Sequence, residues 1–210
     1  MKILIVGDHE SKAIWDYYKP GMLDDIDLIL SCGDLNPRYL TFLVTLARAP
    51  VYYIHGNHDG KYELFPPEGC TCIDGDLVEF NGIRILGLGG SMRYLPDTQN
   101  QYTEREMRSR IRKLWLKIRR HKGFDILLTH SPAKGINDGE DLPHQGFGCF
   151  LELLDKYQPR FFIHGHVHMS YGRQYKRIDQ YEDTHIINGF EQYLFDYENP
   201  DLTEVSRIGT

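Results

Sequence analysis

Seven times along this chain a short apolar run, rich in β-branched residues, stops abruptly at polar or glycine residues. Lys2 to Val6 leads into Gly7-Asp8-His9-Glu10, and Leu28 to Leu30 leads, after Ser31-Cys32, into Gly33-Asp34. Val51 to Ile54 precedes His55-Gly56-Asn57-His58-Asp59, and Ile83 to Leu86 precedes Gly87-Leu88-Gly89-Gly90-Ser91. Ile126 to Leu128 ends at Thr129-His130, Phe161 to Ile163 at His164-Gly165-His166-Val167-His168, and His185 to Ile187 at Asn188-Gly189. Runs this short and this continuously apolar suit strands buried on both faces.

Helical patterns lie between several of these runs. Pro37 to Ala47 starts with Asn36 as N-cap and proline in the first turn. Thr103 to Arg120 opens with Thr103 and Glu106 at capping-box spacing, and Met107, Ile111, Leu114 and Ile118 then share one face. Phe147 to Tyr157 is a third helix, closed by Pro159. Strands and helices in alternation predict an α/β protein. With 210 residues, the chain is read as one domain over 1–210. In such sheets ligands collect beyond the carboxyl ends of the strands, where every polar cluster above is placed.

That rim gathers Asp8, Asp34, Asn57, His130, His166 and His168. Oxygen and imidazole donors together suit Mn, Fe or Zn, whereas an all-oxygen set would have pointed to Mg or Ca. His166 and His168 lie two apart and project to one side of an extended segment. A carboxylate can bridge two metals, and Asp34 is placed to do so.

Gly33-Asp34, Gly56-Asn57-His58-Asp59, His130 and Gly165-His166-Val167-His168, in that order, resemble the motif blocks of the calcineurin-like metallophosphoesterase superfamily. The resemblance implies a sandwich of two mixed β-sheets flanked by α-helices, with the active site at the C-terminal rim of the strands. It puts Asp8, Asp34 and His168 on one metal, and Asp34, Asn57, His130 and His166 on the other. It also implies hydrolysis of a phosphomonoester or phosphodiester by a bridging hydroxide, with His58 as general acid.

The first block departs from the family's Asp-x-His, because Glu10 stands where a histidine is expected. Three readings stay open: Glu10 coordinates, His9 reaches in through an irregular turn, or the first metal has one protein ligand fewer. Glu10 is favoured for its reach and charge. The large phosphatases orient their acid with an Asp at the position of Pro37, leaving Asp59 as the substitute here. Arg38 matches a phosphate-contacting arginine of those enzymes. His144, in a loop like that of small members of the superfamily, and Arg93, after Gly89-Gly90, are further substrate-binding candidates.

A net charge of −6 gives little general attraction to nucleic acid or anionic membranes. The basic residues from Arg105 to Lys122 are read as the solvated side of an amphipathic helix, so a nuclease is disfavoured. No stretch approaches the roughly 20 apolar residues needed to span a bilayer. Cys32, Cys70, Cys72 and Cys149 show no CxxC pairing, and with no leader recognised they read as reduced thiols of a cytoplasmic protein. The competing function is a scaffold that keeps the fold without the chemistry; the presence of His58 favours the enzyme. Substrate, metal identity and oligomeric state are not set by the sequence.

Overall fold

The computed structural model describes residues 1–172, 175–198 and 202. In chain order its strands are β1 (Lys2–Gly7), β2 (Leu28–Ser31), β3 (Val51–Tyr53), β4 (Thr71–Cys72), β5 (Asp76–Phe80), β6 (Ile83–Leu88), β7 (Ser91–Met92), β8 (Gln101–Tyr102), β9 (Ile126–Thr129), β10 (Phe161–His164), β11 (Ile178–Tyr181), β12 (Thr184–Asn188) and β13 (Glu191–Asp196). The helices are α1 (Lys12–Trp15), α2 (Pro37–Leu46), α3 (Glu104–Lys113), α4 (Trp115–Arg120) and α5 (Gly148–Tyr157).

Two mixed sheets pack face to face, the first in the order β13-β1-β2-β3-β4 and the second β11-β12-β10-β9-β6-β5. β1 runs parallel to β2 and antiparallel to β13. β9, β10, β6 and β12 are parallel, with β5 and β11 added antiparallel at the edges. Strand alternation explains the continuous apolar runs. Ile3 and Ile5 point between the sheets, toward the cluster holding Ile85, Leu128 and Ile163, while Leu4 and Val6 point outward to Ile14, Tyr39 and Leu43 of α1 and α2. On the far side, Leu86, Leu127 and Phe162 meet Met107, Ile118 and Phe150 of α3, α4 and α5. Each central strand is therefore covered twice, and polar residues are confined to its ends.

Local signals set the helix boundaries. The Asn36 side chain accepts the Arg38 N–H ahead of α2, and both halves of the Thr103–Glu106 capping box are formed at α3. α5 ends at Gln158, whose φ of 45° is left-handed. The segment predicted as one helix over 103–120 divides at Leu114 (φ −87°, ψ −5°) into α3 and α4. Leu114 and Ile118 both reach the core that Met107 occupies two turns before Leu114. Among the described residues, no helix is long and apolar enough to cross a membrane.

Candidate metal centre

The carboxyl ends of β1, β2, β3, β9 and β10 converge on one rim, and Asp8, Asp34 and His166 sit there with φ of 63°, 57° and 66°. Left-handed backbone is uncommon outside glycine and costs free energy, so it persists where surrounding contacts impose it. Those contacts are specific. Asp8 Oδ1 accepts the His166 N–H at 2.8 Å, and Asp34 Oδ1 accepts the His58 N–H at 2.7 Å. Asp59 Oδ2 accepts the N–H groups of Asp34 (2.7 Å) and Gly56 (2.8 Å). Gly56 is dictated by close approach, since a Cβ there would stand 2.1 Å from Asp34 Oδ1. Likewise a Cβ on Gly165 would stand 2.7 Å from Asp8 Oδ2.

His130 is fully buried at the centre of this arrangement. Its Nδ1–H donates to the Cys32 carbonyl at 2.8 Å, which turns Nε2 toward Asn57 Oδ1 (2.9 Å) and Asp34 Oδ2 (3.3 Å). Burial alone would lower the His130 pKa, but the charge and hydrogen bond of Asp34, with Asp8 behind, raise it to about 9. Asp34 is pushed up by burial and pulled down harder by His130, ending at about 2. An imidazole lone pair facing two oxygens is repulsive unless a positive charge lies between them. A proton on Nε2 supplies that charge; with a cation in its place, the same atoms are ligands.

His166 completes the set. Its Nε2–H donates to the Pro143 carbonyl at 2.7 Å, leaving Nδ1 as the lone-pair nitrogen. Burial, then the neighbouring His130 charge, lowers its pKa to about 3, so the ring is neutral. Ligand atoms of Asp34, His130 and His166 all lie within 4.8 Å of one another. The Asp8 side chain is 1% exposed, and its Oδ2 has no hydrogen-bond partner. Burial is the largest influence raising the Asp8 pKa to about 7. A buried carboxylate oxygen without a donor, on the same rim as Asp34, fits a metal ligand. His168 is half-buried, its ring 4.8 Å from that of Phe190, and burial followed by His144 lowers its pKa.

The remaining candidates divide by what they touch. The His58 side chain is exposed at the rim, its backbone N–H fastened to Asp34. Asp59, expected as a catalytic partner of His58, is instead buried beneath the loop; its Oδ2 is occupied by two backbone N–H groups, and burial raises its pKa to about 6. Glu10 Oε1 accepts the Asn36 N–H at 2.8 Å, while the exposed His9 bonds the Glu10 carbonyl through Nδ1. His144 pairs with Asp141 at 2.7 Å, and its ring lies 5.1 Å from that of His166, at the edge of the centre. Exposed Arg38 lines a cavity of about 550 Å³ with Lys61, Leu64 and Phe65. Arg93, expected at the substrate, turns toward α3; its Nη2 holds Glu106 (3.1 Å) and the Gln101 carbonyl (3.1 Å). A charged residue after a glycine pair suggested a ligand, but a carboxylate on a neighbouring helix satisfies it.

Two participants carried no motif. Asn57 Nδ2 donates to the Tyr94 hydroxyl at 3.2 Å. Asn188, at the end of β12, donates to the Val167 carbonyl and so supports the His166–His168 turn. Its position after an apolar run was the only sequence signal.

A family model described as calcineurin-like phosphoesterase matches residues 1–170. Human metallophosphoesterase domain-containing protein 1 is 42% identical over 55 residues, which are 24% of this chain and 17% of that protein's length. An uncharacterized protein of Methanocaldococcus jannaschii is 23% identical over 189 residues, covering 83% of this chain and 82% of its own. A solved structure of a Thermus thermophilus protein superposes with a TM-score of 0.61 at 17% identity over 93% of each chain. A further solved structure reaches 0.69 at 12% identity over 96% of this chain and 97% of its own. At those identities the likeness is one of fold.

Proposed function

Since the chain belongs to the calcineurin-like phosphoesterase family, whose general activity is metal-dependent phosphoester hydrolysis, we propose that its rim is a dinuclear centre carrying out that reaction. The observation that carries the reading is the arrangement at His130, where Nδ1 is locked on a carbonyl and Nε2 faces Asp34 Oδ2 and Asn57 Oδ1. Asp34, Asn57, His130 and His166 would hold one ion. Asp8, Asp34 and His168 would hold the other, with Glu10, whose Oε1 accepts the Asn36 N–H, as a further candidate. The donor set suits Mn, Fe or Zn. Bound there, the ions supply acidification of a water and positive charge for the phosphoryl oxygens.

The chain's own residues do the rest. Asp59 keeps the Asp34 and Gly56 backbone in place, and the neutral His166 is aimed by Pro143. His58, open to solvent beside Asp34, gives a proton to the leaving oxygen, a contribution of ~10²–10⁴-fold when the acid is well placed. His144 lines the substrate side next to His166, and Arg38 faces the adjoining cavity.

The test is metal analysis of the full chain, joined to assays with Mn²⁺, Fe²⁺ or Zn²⁺ on bis(p-nitrophenyl) phosphate and p-nitrophenyl phosphate. Metal-dependent turnover of either ester is expected. Absence of both metal uptake and turnover would replace the enzyme reading with the scaffold.

A further inference from the structure

We propose that Tyr94 is a substrate-contacting residue of this site, its hydroxyl donating a hydrogen bond to a phosphoryl oxygen of the bound ester. The assignment rests on the phosphoesterase reading above. Its starting point is the Asn57 amide. Oδ1 of that amide faces His130, and Nδ2, on the same carbon, donates to the Tyr94 oxygen at 3.2 Å. That bond uses a lone pair of the phenol and leaves its proton unengaged. Among the described residues no acceptor takes the proton, and the residue is only half-buried. The two heads of one amide are neighbours, so a group bonded to Nδ2 stands at the edge of the space that Oδ1 faces. An oxyanion held there meets a donor already oriented, which is the condition under which such hydrogen bonds act most strongly on a transition state.

The backbone that delivers Tyr94 is built with some care. β7 and β8 pair in parallel, Ser91 with Gln101 and Met92 with Tyr102. Gly90, at φ 90°, lets the chain enter this small sheet; a Cβ there would lie 2.5 Å from the Asn100 carbonyl oxygen. Gln101 is 3% exposed, and its Oε1 accepts the N–H groups of both Tyr94 (3.2 Å) and Leu95 (3.1 Å). A buried amide is costly unless bonded, and this one is bonded to the residue that reaches Asn57. Arg93 clamps the same segment from the other side through the Gln101 carbonyl and Glu106. The segment 90–102 thus holds one hydroxyl at one place on the rim.

Tyr94→Phe removes the hydroxyl and keeps the ring. It is tested by calorimetric titration of the full chain, first with Mn²⁺ and then, at saturating Mn²⁺, with inorganic phosphate. Loss of one hydrogen bond to a charged oxygen predicts phosphate binding weakened by ~10-fold or more, while Mn²⁺ affinity stays within about threefold. On bis(p-nitrophenyl) phosphate, kcat/KM is expected to fall by ~10-fold or more, with an unchanged thermal unfolding midpoint. Equal phosphate affinity in the variant, or no phosphate binding by the unsubstituted chain, would overturn the proposal. A loss of Mn²⁺ affinity that accounts for the whole phosphate effect would also overturn it, reducing Tyr94 to a prop for Asn57. Absence of turnover in the unsubstituted chain would instead remove the phosphoesterase reading, and the phosphate titration would still decide the role of Tyr94.

Discussion

Replacing Asp74, which touches none of the candidate ligands directly, should loosen the path that aims two of the site's loops. The Asp74 side chain is 7% exposed. Its Oδ1 accepts from Gly89 N (2.7 Å) and Arg110 Nη2 (2.5 Å), and its Oδ2 from His55 Nδ1 (3.0 Å). The three donors belong to the segment leading into Gly56-Asn57, the turn leading into the Tyr94 loop, and α3. Hydrogen bonds to charged groups contribute ~1.5–3 kcal/mol each, so an additive sum would be about 4.5–9 kcal/mol. Two effects reduce it. Arg110 keeps its bond to the Gly89 carbonyl (2.7 Å) and its place over the Tyr102 ring (4.4 Å), and His55 can shed its proton once its partner is gone. What remains is the orphaned Gly89 N–H and a poorly compensated guanidinium. Asp74→Ala is therefore expected to cost ~3–4 kcal/mol, near the lower end of the range for breaking a buried pair. Asp74→Asn, which keeps the shape and an acceptor, should cost about half as much. Urea unfolding at neutral pH, followed by circular dichroism with an unchanged m-value, gives the number directly.

The pH dependence of the same difference is a second check. Burial lowers the His55 pKa, but the hydrogen bond and charge of Asp74, joined by those of Cys72, more than reverse this, raising it to about 10. The stability this contributes is fully present below the unfolded value of about 6.5 and is lost as pH rises through about 10. Asp74 is held below the usual carboxylate range; burial opposes this, and His55 and Arg110 overcome it. Its contribution is present above the unfolded value of about 3.9 and is lost as pH falls through its lowered folded pKa. The gap between the unsubstituted chain and Asp74→Ala should thus be widest between about pH 5 and pH 7 and shrink on both sides. A cost below ~1 kcal/mol, or a gap that does not vary with pH, would refute the reasoning.

His58→Ala is expected to leave Mn²⁺ binding intact and to lower kcat on esters with poor leaving groups by ~10²-fold or more; normal turnover of such an ester would remove His58 as the proton donor. Gly56→Ala would force a Cβ to 2.1 Å from Asp34 Oδ1, and should cost more than the ~1–3 kcal/mol typical of overpacking while abolishing calorimetric metal uptake. Glu10→Gln keeps an acceptor for the Asn36 N–H and removes the charge, so Mn²⁺ affinity should fall by ~10-fold with little change in unfolding midpoint. Unchanged affinity would restrict Glu10 to bracing the loop.

How far the sequence disclosed this structure depended on how each residue is satisfied. β1, β2, β9 and β10 are covered on both faces, so hydrophobicity alone marks them, and the residue that ends each run marks the rim. β5 and β13 left no such trace. In β13 Gln192, Tyr193 and Phe195 are buried while Glu191, Leu194 and Asp196 are half-exposed, a mixed pattern that only pairing with β1 turns into a strand. The break at Leu114 has no glycine or proline to announce it, and shows only in that residue's backbone angles. At the site, residues next to a strand end were legible because chain order fixes their place. For Arg93 and Asp59 chain order could not show the tertiary partners that hold them, Glu106 for one and the backbone of Asp34 and Gly56 for the other. Tyr94 was invisible for the same reason.

The rim also shows why ligand geometry and fold stability are hard to separate here. Asp8 and Asp34 each use Oδ1 to hold a backbone N–H, from His166 and His58, which leaves Asp34 Oδ2 facing His130 and Asp8 Oδ2 without a donor. Asp8, Asp34 and His166 are also the residues whose left-handed backbone these contacts impose. Each such residue costs ~1–3 kcal/mol, and is maintained only while its neighbours over-determine it. The carboxylates are thus clamps and candidate ligands at once. Removing one relaxes the opposing loop before any question of metal affinity arises. Substitution of Asp34 or Asp8 will therefore report on both functions together. Only positions that touch one of the two, such as Tyr94 at the Asn57 amide or Asp74 behind His55, can tell them apart.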